Sequence, residues 1–153
     1  MKYVFVTVIA CLCVTVGRAA DTFPTDTDFV KKAQGFGNQE IADARGALAM
    51  SKNSAVLEVA KRIEEDGGMV NRRLERLAID KGWPAPVLDP PYSLSPYSDK
   101  RYLVRQIRAQ KDALRFYTEE AANGTDTALQ EFALSTVPIL RMRLAILQSI
   151  RTS

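Results

Sequence analysis

Residues 82–98 read GWPAPVLDPPYSLSPYS, a proline-rich segment without helical periodicity. Longer segments with clear helical periodicity precede and follow it. About 17 extended residues can span up to roughly 55 Å, whereas a 27-residue helix is roughly 40 Å long. The segment is therefore long enough to cross from one end of a helical bundle to the other, and this determines how the flanking helices can be connected.

Apolar residues recur at intervals of three and four in four segments, and this spacing predicts four amphipathic helices. Polar residues suited to capping stand at the start of each segment. The expected caps are Asp26 or Asp28, Ser54, Ser98, and Thr125 or Asp126. The expected helix ends are Lys52-Asn53, Asp80 followed by Gly82, Asn123-Gly124, and the C-terminus. We expect Pro138 to bend the fourth helix rather than end it, because the apolar spacing continues on both sides.

Two or three residues join the first helix to the second, and the third to the fourth, so each pair should form an antiparallel hairpin. The crossover over residues 82–98 would then leave the second and third helices parallel. Two hairpins joined by one long crossover form the ferritin-like arrangement. We therefore predict an all-α protein, an antiparallel four-helix bundle with ferritin-like connectivity, since a simple up-down bundle would not need the long segment.

The N-terminus has the pattern of an export signal. A basic start and an apolar stretch to residue 16 precede Gly17-Arg18-Ala19, which places small residues at the positions that a signal peptidase reads. We expect cleavage after Ala19, with an uncleaved anchor as the alternative. Residues 1–19 would then be a signal peptide, and residues 20–153 would form the bundle domain of a periplasmic or secreted protein.

Export changes the interpretation of the cysteines and of the net charge. Cys11 and Cys13 both lie inside the signal, so the mature protein would contain no thiol and no disulfide. The residues before Cys11 look like a lipoprotein box, but the apolar run continues beyond it, and we expect no lipid anchor there. Without Lys2 and Arg18 the net charge falls from +3 to +1. This near-balance argues against nucleic acid as a partner, and we do not expect a transmembrane protein once the signal is removed.

The apolar residues that share one face of a predicted helix form a seam, and one polar or missing side chain interrupts each seam near the middle of its helix. The four interruptions are Glu40, Gly67, Gln110 and Arg143, with Asp66 next to Gly67. Because they lie at similar depth, we expect them to form one polar layer in the core. Because a buried guanidinium without a partner is very costly, we expect Arg143 to reach across the core to Glu40. Gln110 and Asp66 would complete the hydrogen bonds, and Gly67 would leave room for the guanidinium. In the alternatives, Arg143 and Glu40 bend toward solvent along their stems, or the layer forms a ligand pocket.

The residues of this polar layer can be compared with the ligand pattern of a di-metal centre. Di-metal carboxylate bundles use one Glu on each of two helices and Glu-x-x-His on the other two. Here Glu40 and Glu64 are the only matches, Gly67 stands at a histidine position, and the chain has no histidine. Arg143 would add a fixed positive charge beside any cation. We therefore expect no metal and no other cofactor, with Glu40, Glu64 and Asp66 as the weak candidates for a residual metal site.

Several short motifs fall in register with one known family. They are Asp28-Phe29, Ala33, Glu40-Ile41, Ala47, Ser54-Ala55-Val56, Ala60, Asp66, Asn71, Leu74 through Ala78, Tyr102-Leu103, Leu114, Phe132-Ala133, Val137-Pro138, Leu140 and Leu144. Over about residues 26–150 the chain resembles an exported bacterial family called domain of unknown function 4142. Its members are often labelled predicted outer-membrane proteins, although the resemblance implies a soluble periplasmic ferritin-like bundle. No established activity comes with the resemblance.

The departures from this family concern its histidines. The family pattern carries histidine where this chain has Gly67, Gln110 and Arg143. If those histidines serve a metal or polar site in relatives, this chain has lost that site at every such position. The resemblance therefore implies no metal role for this chain.

The sequence contains no Ser/His/Asp or Cys/His set and no glycine-rich phosphate loop, so we expect no enzymatic activity. We expect an exported helical bundle that acts through its surface, in envelope or stress physiology, with envelope components or a protein as its partner. The alternatives are a binder of a small anionic ligand in a core cavity near Gly67 and Arg143, and a residual metal-binding ferritin-like protein.

The predicted third helix has a basic surface that could contact anionic lipid head groups or pair with acids of a neighbouring helix. Its residues are Arg101, Arg105, Arg108, Lys111 and Arg115.

Overall fold

The computed structural model describes residues 25–84 and 96–152. These residues form a four-helix bundle, which confirms the all-α prediction. The predicted signal peptide, both cysteines and residues 85–95 of the crossover lie outside the described residues. The helices are α1 (Asp26–Met50), α2 (Ser54–Asp80), α3 (Asp99–Asn123) and α4 (Thr127–Thr152).

The first two helices are capped one residue earlier than the sequence suggested. Thr25 has an extended backbone, and its hydroxyl accepts a hydrogen bond from the Asp28 amide. Asn53 is also extended, and its side-chain oxygen accepts from two amides of the first turn of α2. Asp26, Asp28 and Ser54 are therefore not caps but residues of the first turn. At that position the two Asp side chains interact favourably with the positive end of α1.

The later two helices begin as predicted. Ser98 caps α3 through a hydrogen bond from the Arg101 amide at 3.3 Å. Asp126, one of the two candidates for α4, accepts from the Leu129 amide at 3.1 Å. The other candidate, Thr125, instead donates its hydroxyl to the Asp26 side chain at the start of α1, so it ties two helix ends together.

Helix ends follow the predicted stop signals except at α1. This helix ends at Met50, before the predicted Lys52-Asn53, because Asn53 must be extended in order to cap α2. Gly82 follows α2 with a positive φ of 68°, and Gly124 caps α3 as expected. Pro138 lies inside α4, which continues through it.

Four pairs of helices pack against each other: α1 with α2, α3 with α4, α2 with α4, and α1 with α3. Along the first pair, Asn38 contacts Asn71 and Arg45 contacts Glu64, so residue numbers rise in α1 as they fall in α2. The ferritin-like connectivity depends on the path of residues 85–95 and stays a prediction.

The apolar core consists of two clusters. The first surrounds Phe29, Leu74 and Leu129, and the second surrounds Ile63 and Leu147. Trp83, at one described end of the crossover, packs against the first cluster. Tyr97, at the other end, packs against the second. Both aromatic rings thus hold the crossover to the bundle, at different clusters.

Among the described residues, one helix segment is long and apolar enough to cross a membrane by length and composition. This segment is Thr127–Ile150, with a mean hydropathy of 1.2 in its most apolar window. The core helix of a bundle passes the same test, and about a third of this window (33%) is buried among the other helices. This match is therefore weak evidence for a membrane span.

Candidate functional site

A buried ionic network joins three helices between the two apolar clusters. Arg143 Nη1 in α4 donates to Glu40 Oε2 in α1 at 3.3 Å. Arg143 Nε donates to Asp66 Oδ2 in α2 at 3.5 Å. The predicted pair between Arg143 and Glu40 is thus present, and Asp66 joins it. The alternative in which both side chains bend toward solvent is wrong, because Arg143 and Glu40 are only 2% and 4% exposed.

The helical faces explain why these charges point inward. Arg143 lies three residues after Leu140 and four before Leu147, and both leucines are buried. Glu40 lies four residues before Ala44, which is fully buried. Residues at these spacings share one side of a helix. Burial of the apolar seam therefore carries each charge into the core, where each requires a partner of opposite sign.

Gly67 gives α2 a close approach to α1 at this level. A Cβ atom added at Gly67 would lie 3.0 Å from Ile41 Cγ1 and 4.0 Å from Arg143 Nη2. The glycine therefore adjoins the guanidinium, as predicted. The tighter restriction comes from Ile41, so Gly67 is required more for helix packing than for the space that Arg143 occupies.

Several polar atoms of the layer remain without hydrogen bonds. Within the described residues, Arg143 Nη2, Glu40 Oε1 and both amide atoms of Gln110 are buried and have no hydrogen-bond partner. The expected completion of the network by Gln110 is therefore not achieved with normal geometry. Its amide nevertheless lies close enough to Glu40 to favour the ionised carboxylate. An unsatisfied buried polar group costs about 1–3 kcal/mol, so this layer is under-satisfied compared with a normal core.

Burial raises the pKa of Glu40 from 4.5 to about 7. The nearby Arg143 guanidinium has the largest opposing effect on this pKa, and the Gln110 amide also lowers it, while Asp43 raises it. Desolvation exceeds these attractions because Glu40 is enclosed on all sides. Glu40 therefore changes protonation near neutral pH, and its pairing with Arg143 depends on pH in the same range.

A second polar cluster, not predicted from the sequence, adjoins this network. Asp43 lies one turn after Glu40 and is only 2% exposed. Its carboxylate accepts from Arg105 Nε at 2.7 Å, from Gln39 at 3.2 Å and from Gln106 at 3.5 Å. The three-residue step from Glu40 to Asp43 in α1 could have indicated it. Arg105, predicted as part of the basic surface, is therefore tied to the core of the bundle.

Asn71 forms another polar contact that the sequence did not indicate. Its Nδ2 donates to Asn38 Oδ1 at 3.0 Å, while its own Oδ1 is buried and accepts no hydrogen bond from the residues that the structure describes. A Cβ atom at Gly37 would collide with the Asn71 amide. Gly37 therefore allows α1 to accept the Asn71 side chain from α2.

A small cavity of about 20 Å³ lies inside the layer. Glu40, Gly67, Asn71, Thr136 and Arg143 are among its lining residues. A volume of roughly 10–15 Å³ by this measure holds one water molecule. The cavity is therefore large enough for a water molecule and far smaller than the roughly 300–1,000 Å³ of usual ligand pockets.

The described residues do not bring together three metal-binding side chains of the His, Cys, Asp or Glu type. Of the three weak candidates, Glu40 and Asp66 both contact Arg143. Glu64 pairs instead with Arg45 at 2.9 Å. Two of these carboxylates thus already share the Arg143 cation, and the third is paired with the Arg45 cation.

The basic surface lies on the outward side of α3. Arg105 pairs with Asp43, and Arg108 lies 3.9 Å from Asp112 on the same helix. Within the part of the chain that the structure describes, the other three cations make no ion pair. These three are Arg101, Lys111 and Arg115, all of them exposed.

Comparison with known families gives a match over most of the chain. The model of the family described as domain of unknown function (DUF4142) matches residues 14–150. No curated protein and no solved structure matches the chain. The chain therefore belongs to the DUF4142 family.

Proposed function

We propose that this DUF4142 protein is an exported, non-enzymatic helical bundle of the cell envelope, and that it acts through its surface. The observation that carries the proposal is the closely packed central layer, in which both carboxylates contact Arg143. Arg143 is held by Glu40 and Asp66 at 3.3 and 3.5 Å, and the space beside them measures only about 20 Å³. The layer therefore offers neither room for a substrate nor an unpaired carboxylate for a metal.

The larger spaces lie on the outside of the bundle. A surface groove of about 670 Å³ runs between α1 and α3, with Phe36 and Phe116 among its lining residues. A second groove, of about 290 Å³, lies between α1 and α2 near Gly68. Partners of the size of a protein segment or a membrane surface can contact such grooves, whereas the central cavity is too small to hold them.

The proposed location depends on the N-terminal sequence. A basic start, an apolar stretch and Gly17-Arg18-Ala19 together support export and cleavage after Ala19. The absence of cysteine from residues 20–153 is compatible with an oxidising compartment, because no thiol can then form an unwanted disulfide.

A small anionic ligand beside Arg143 is the second candidate function. The observation in its favour is Arg143 Nη2, which is buried and has no hydrogen-bond partner in the described residues. The cavity volume limits such a ligand to about the size of a water molecule. Binding of an organic anion would require the layer to open and Glu40 to give up its partner.

The first experiment tests for a ligand in the core. Thermal unfolding of the protein is measured with formate, acetate, succinate or inorganic phosphate, and again for Arg143→Met. A ligand that binds only the folded state raises the melting temperature with its concentration. We expect no shift that depends on Arg143. A formate shift that disappears in Arg143→Met would contradict the proposal and favour the anion-binding alternative.

The second experiment tests export. The full chain is expressed in a bacterium, and the mass of the protein is measured in the periplasmic fraction. We expect a chain that lacks residues 1–19. Ala19→Arg should block processing because it removes the small residue at the cleavage site, whereas Ala20→Arg should be processed. Retention of the unprocessed chain in the cytoplasm would refute export.

A further inference from the structure

Positive charge is concentrated on one side of the bundle. Residues 99–115, at the start of α3, contain six Lys or Arg and two Asp, a net charge of +4. The whole chain has a net charge of +3, so the rest of it is slightly negative. We define the basic ridge as Arg101, Arg105, Arg108, Lys111 and Arg115. We infer that the basic ridge binds the surface of an anionic phospholipid membrane.

The ion pairs of the ridge show which of its charges are available to a partner. Acids of neighbouring helices can pair with a basic face, although each exposed pair contributes little to stability. Here α1 supplies one such acid, Asp43, which is buried and holds Arg105 at 2.7 Å. Arg101, Lys111 and Arg115 make no ion pair within the described ranges 25–84 and 96–152, and their charges remain available to an external anion.

The shape of the ridge suits a flat partner. Arg101 and Arg115 are fourteen residues apart on one straight element, a distance of about 21 Å along the axis. Successive cations stand three or four residues apart and so share one side of the helix. Val104 lies on the same side and is 49% exposed. A planar anionic surface can therefore contact the whole ridge at once, with an apolar side chain among the charges.

The groove beside the ridge adds apolar contacts. Phe36 of α1 and Phe116 of α3 line it, and their ring centroids are 5.6 Å apart. Lys32 lies over the Phe116 ring at 5.9 Å. Asp112 and Glu119 also line the groove and would repel an anion there. We therefore place the lipid phosphates along the ridge and the apolar part of the interface in this groove.

These features favour a membrane over nucleic acid. Cations alone would attract either polyanion, but an exposed valine and an aromatic groove are suited to an interface that has both charged and apolar components. The inference rests on the proposed function only in that export would bring the chain to such a membrane.

The test measures binding to vesicles. The wild-type protein and its variants are isolated in the same processed form, checked by mass. Each is sedimented with vesicles of phosphatidylcholine alone or with added phosphatidylglycerol. The ridge variant is R101Q/K111Q/R115Q, which removes the three cations without an ion pair, and its matched control, K61Q/R72Q/R76Q, removes the same charge from exposed positions of α2.

We expect binding only when phosphatidylglycerol is present, and weaker binding as salt is added. Each cation near an anionic membrane raises the affinity roughly fivefold, and the ridge variant lacks three cations. It should therefore bind about 100-fold more weakly. The control variant should keep most of the wild-type affinity. If the ridge variant does not fold, as judged by circular dichroism, R101Q/K111Q replaces it with an expected loss of about 30-fold.

Three results would overturn the inference. The first is binding that does not depend on phosphatidylglycerol. The second is an equal loss in the ridge and control variants, which would indicate a general effect of net charge. The third is tighter binding to duplex DNA than to the anionic vesicles at the same salt concentration. Because the vesicle assay does not require export, failure of the export experiment and failure of this inference can be distinguished.

Discussion

Replacement of Arg143 by Met should destabilise the bundle strongly, and more so at pH 8 than at pH 5. Arg143 is the cation that both Glu40 and Asp66 contact. Methionine keeps much of the length and apolar stem of arginine but removes the charge. Glu40 would then remain in the core without a partner, whereas Asp66, whose side chain is 20% exposed, could turn to water.

The magnitude follows from distance, burial and protonation. At 3.3 Å and an effective dielectric constant of 20, the Coulomb attraction between Arg143 and Glu40 is about 5 kcal/mol. Desolvation of the two ions offsets much of it, and the usual loss on removing one partner of a buried pair is about 3–5 kcal/mol. We expect Arg143→Met to lower the free energy of unfolding by about this amount at pH 8.

The pH dependence follows from the pKa of Glu40, which is about 7 in the folded protein. At pH 8, one unit above this pKa, the folded wild-type carboxylate is ionised, and its free energy is about 1.4 kcal/mol lower than if Glu40 were held protonated. Without Arg143 the pKa of Glu40 rises further, and this contribution is lost. At pH 5 Glu40 is protonated in both proteins, so the destabilisation should be smaller there by about 1.4 kcal/mol.

Urea unfolding followed by circular dichroism at both pH values measures these differences, and carboxyl NMR follows the titration of Glu40. A double-mutant cycle with Glu40→Gln isolates the pair, with an expected coupling of about 1–3 kcal/mol at pH 8. Arg141→Met, at an exposed position of the same helix, is the matched control and should change stability little. The reasoning is refuted if Arg143→Met is as stable as wild type at pH 8 and Glu40 titrates near 4.5 in the wild-type protein.

Three further predictions concern pH and local packing. The pKa of Glu40 is 4.5 in the unfolded protein and about 7 in the folded protein. The stability that protonated Glu40 contributes is therefore fully present below pH 4.5 and is lost as pH rises through 7. Urea titrations should therefore show wild type losing about 3 kcal/mol relative to Glu40→Gln across that range, and parallel curves would contradict this. Gly37→Ala should cost about 1–3 kcal/mol by displacing Asn71, whereas Gly35→Ala, which meets open space, should stabilise by up to about 1 kcal/mol in the same assay. Asn53→Ala should lower the melting temperature through loss of about 1 kcal/mol of capping, whereas Ser54→Ala should have little effect; equal effects would argue against Asn53 as the cap.

Helix spacing carried most of the information about the fold. Apolar residues at steps of three and four predicted all four helices, and Gly82 and Gly124 were correctly identified as stop signals. The errors lie at the first two caps, where several capping residues adjoin. Thr25 and Asn53 are extended and cap their helices, whereas Asp26 and Ser54 are already helical. Sequence alone does not distinguish such neighbours, because the choice depends on which residue the connecting chain holds extended.

The polar layer was predictable where one seam position had to point inward. Arg143 and Glu40 replace apolar residues on their seams, and the need to neutralise a buried guanidinium identified the pair. Asp43 and Asn71 were missed because they lie beside the seams rather than on them. Their burial depends on how closely the helices approach, and Gly37 in particular lets Asn71 enter. That closeness is a property of the assembled bundle and is not visible in any single helix.

The place of the ionic layer between two apolar clusters suggests that it sets the register of the helices. Buried ionic groups can fix the register of packed helices, and a slide by one turn here would move Arg143 away from Glu40 and into one of the clusters. Glu40→Leu combined with Arg143→Met removes both charges together, and such replacements are often neutral or stabilising. We therefore expect the double variant to be at least as stable as wild type at pH 8, unlike Arg143→Met alone. Its NMR spectrum should show exchange broadening in α1 and α4, because the register is no longer fixed by charge. A double variant with sharp wild-type-like lines would show that packing alone, above all at Gly37 and Gly67, is sufficient to fix the register.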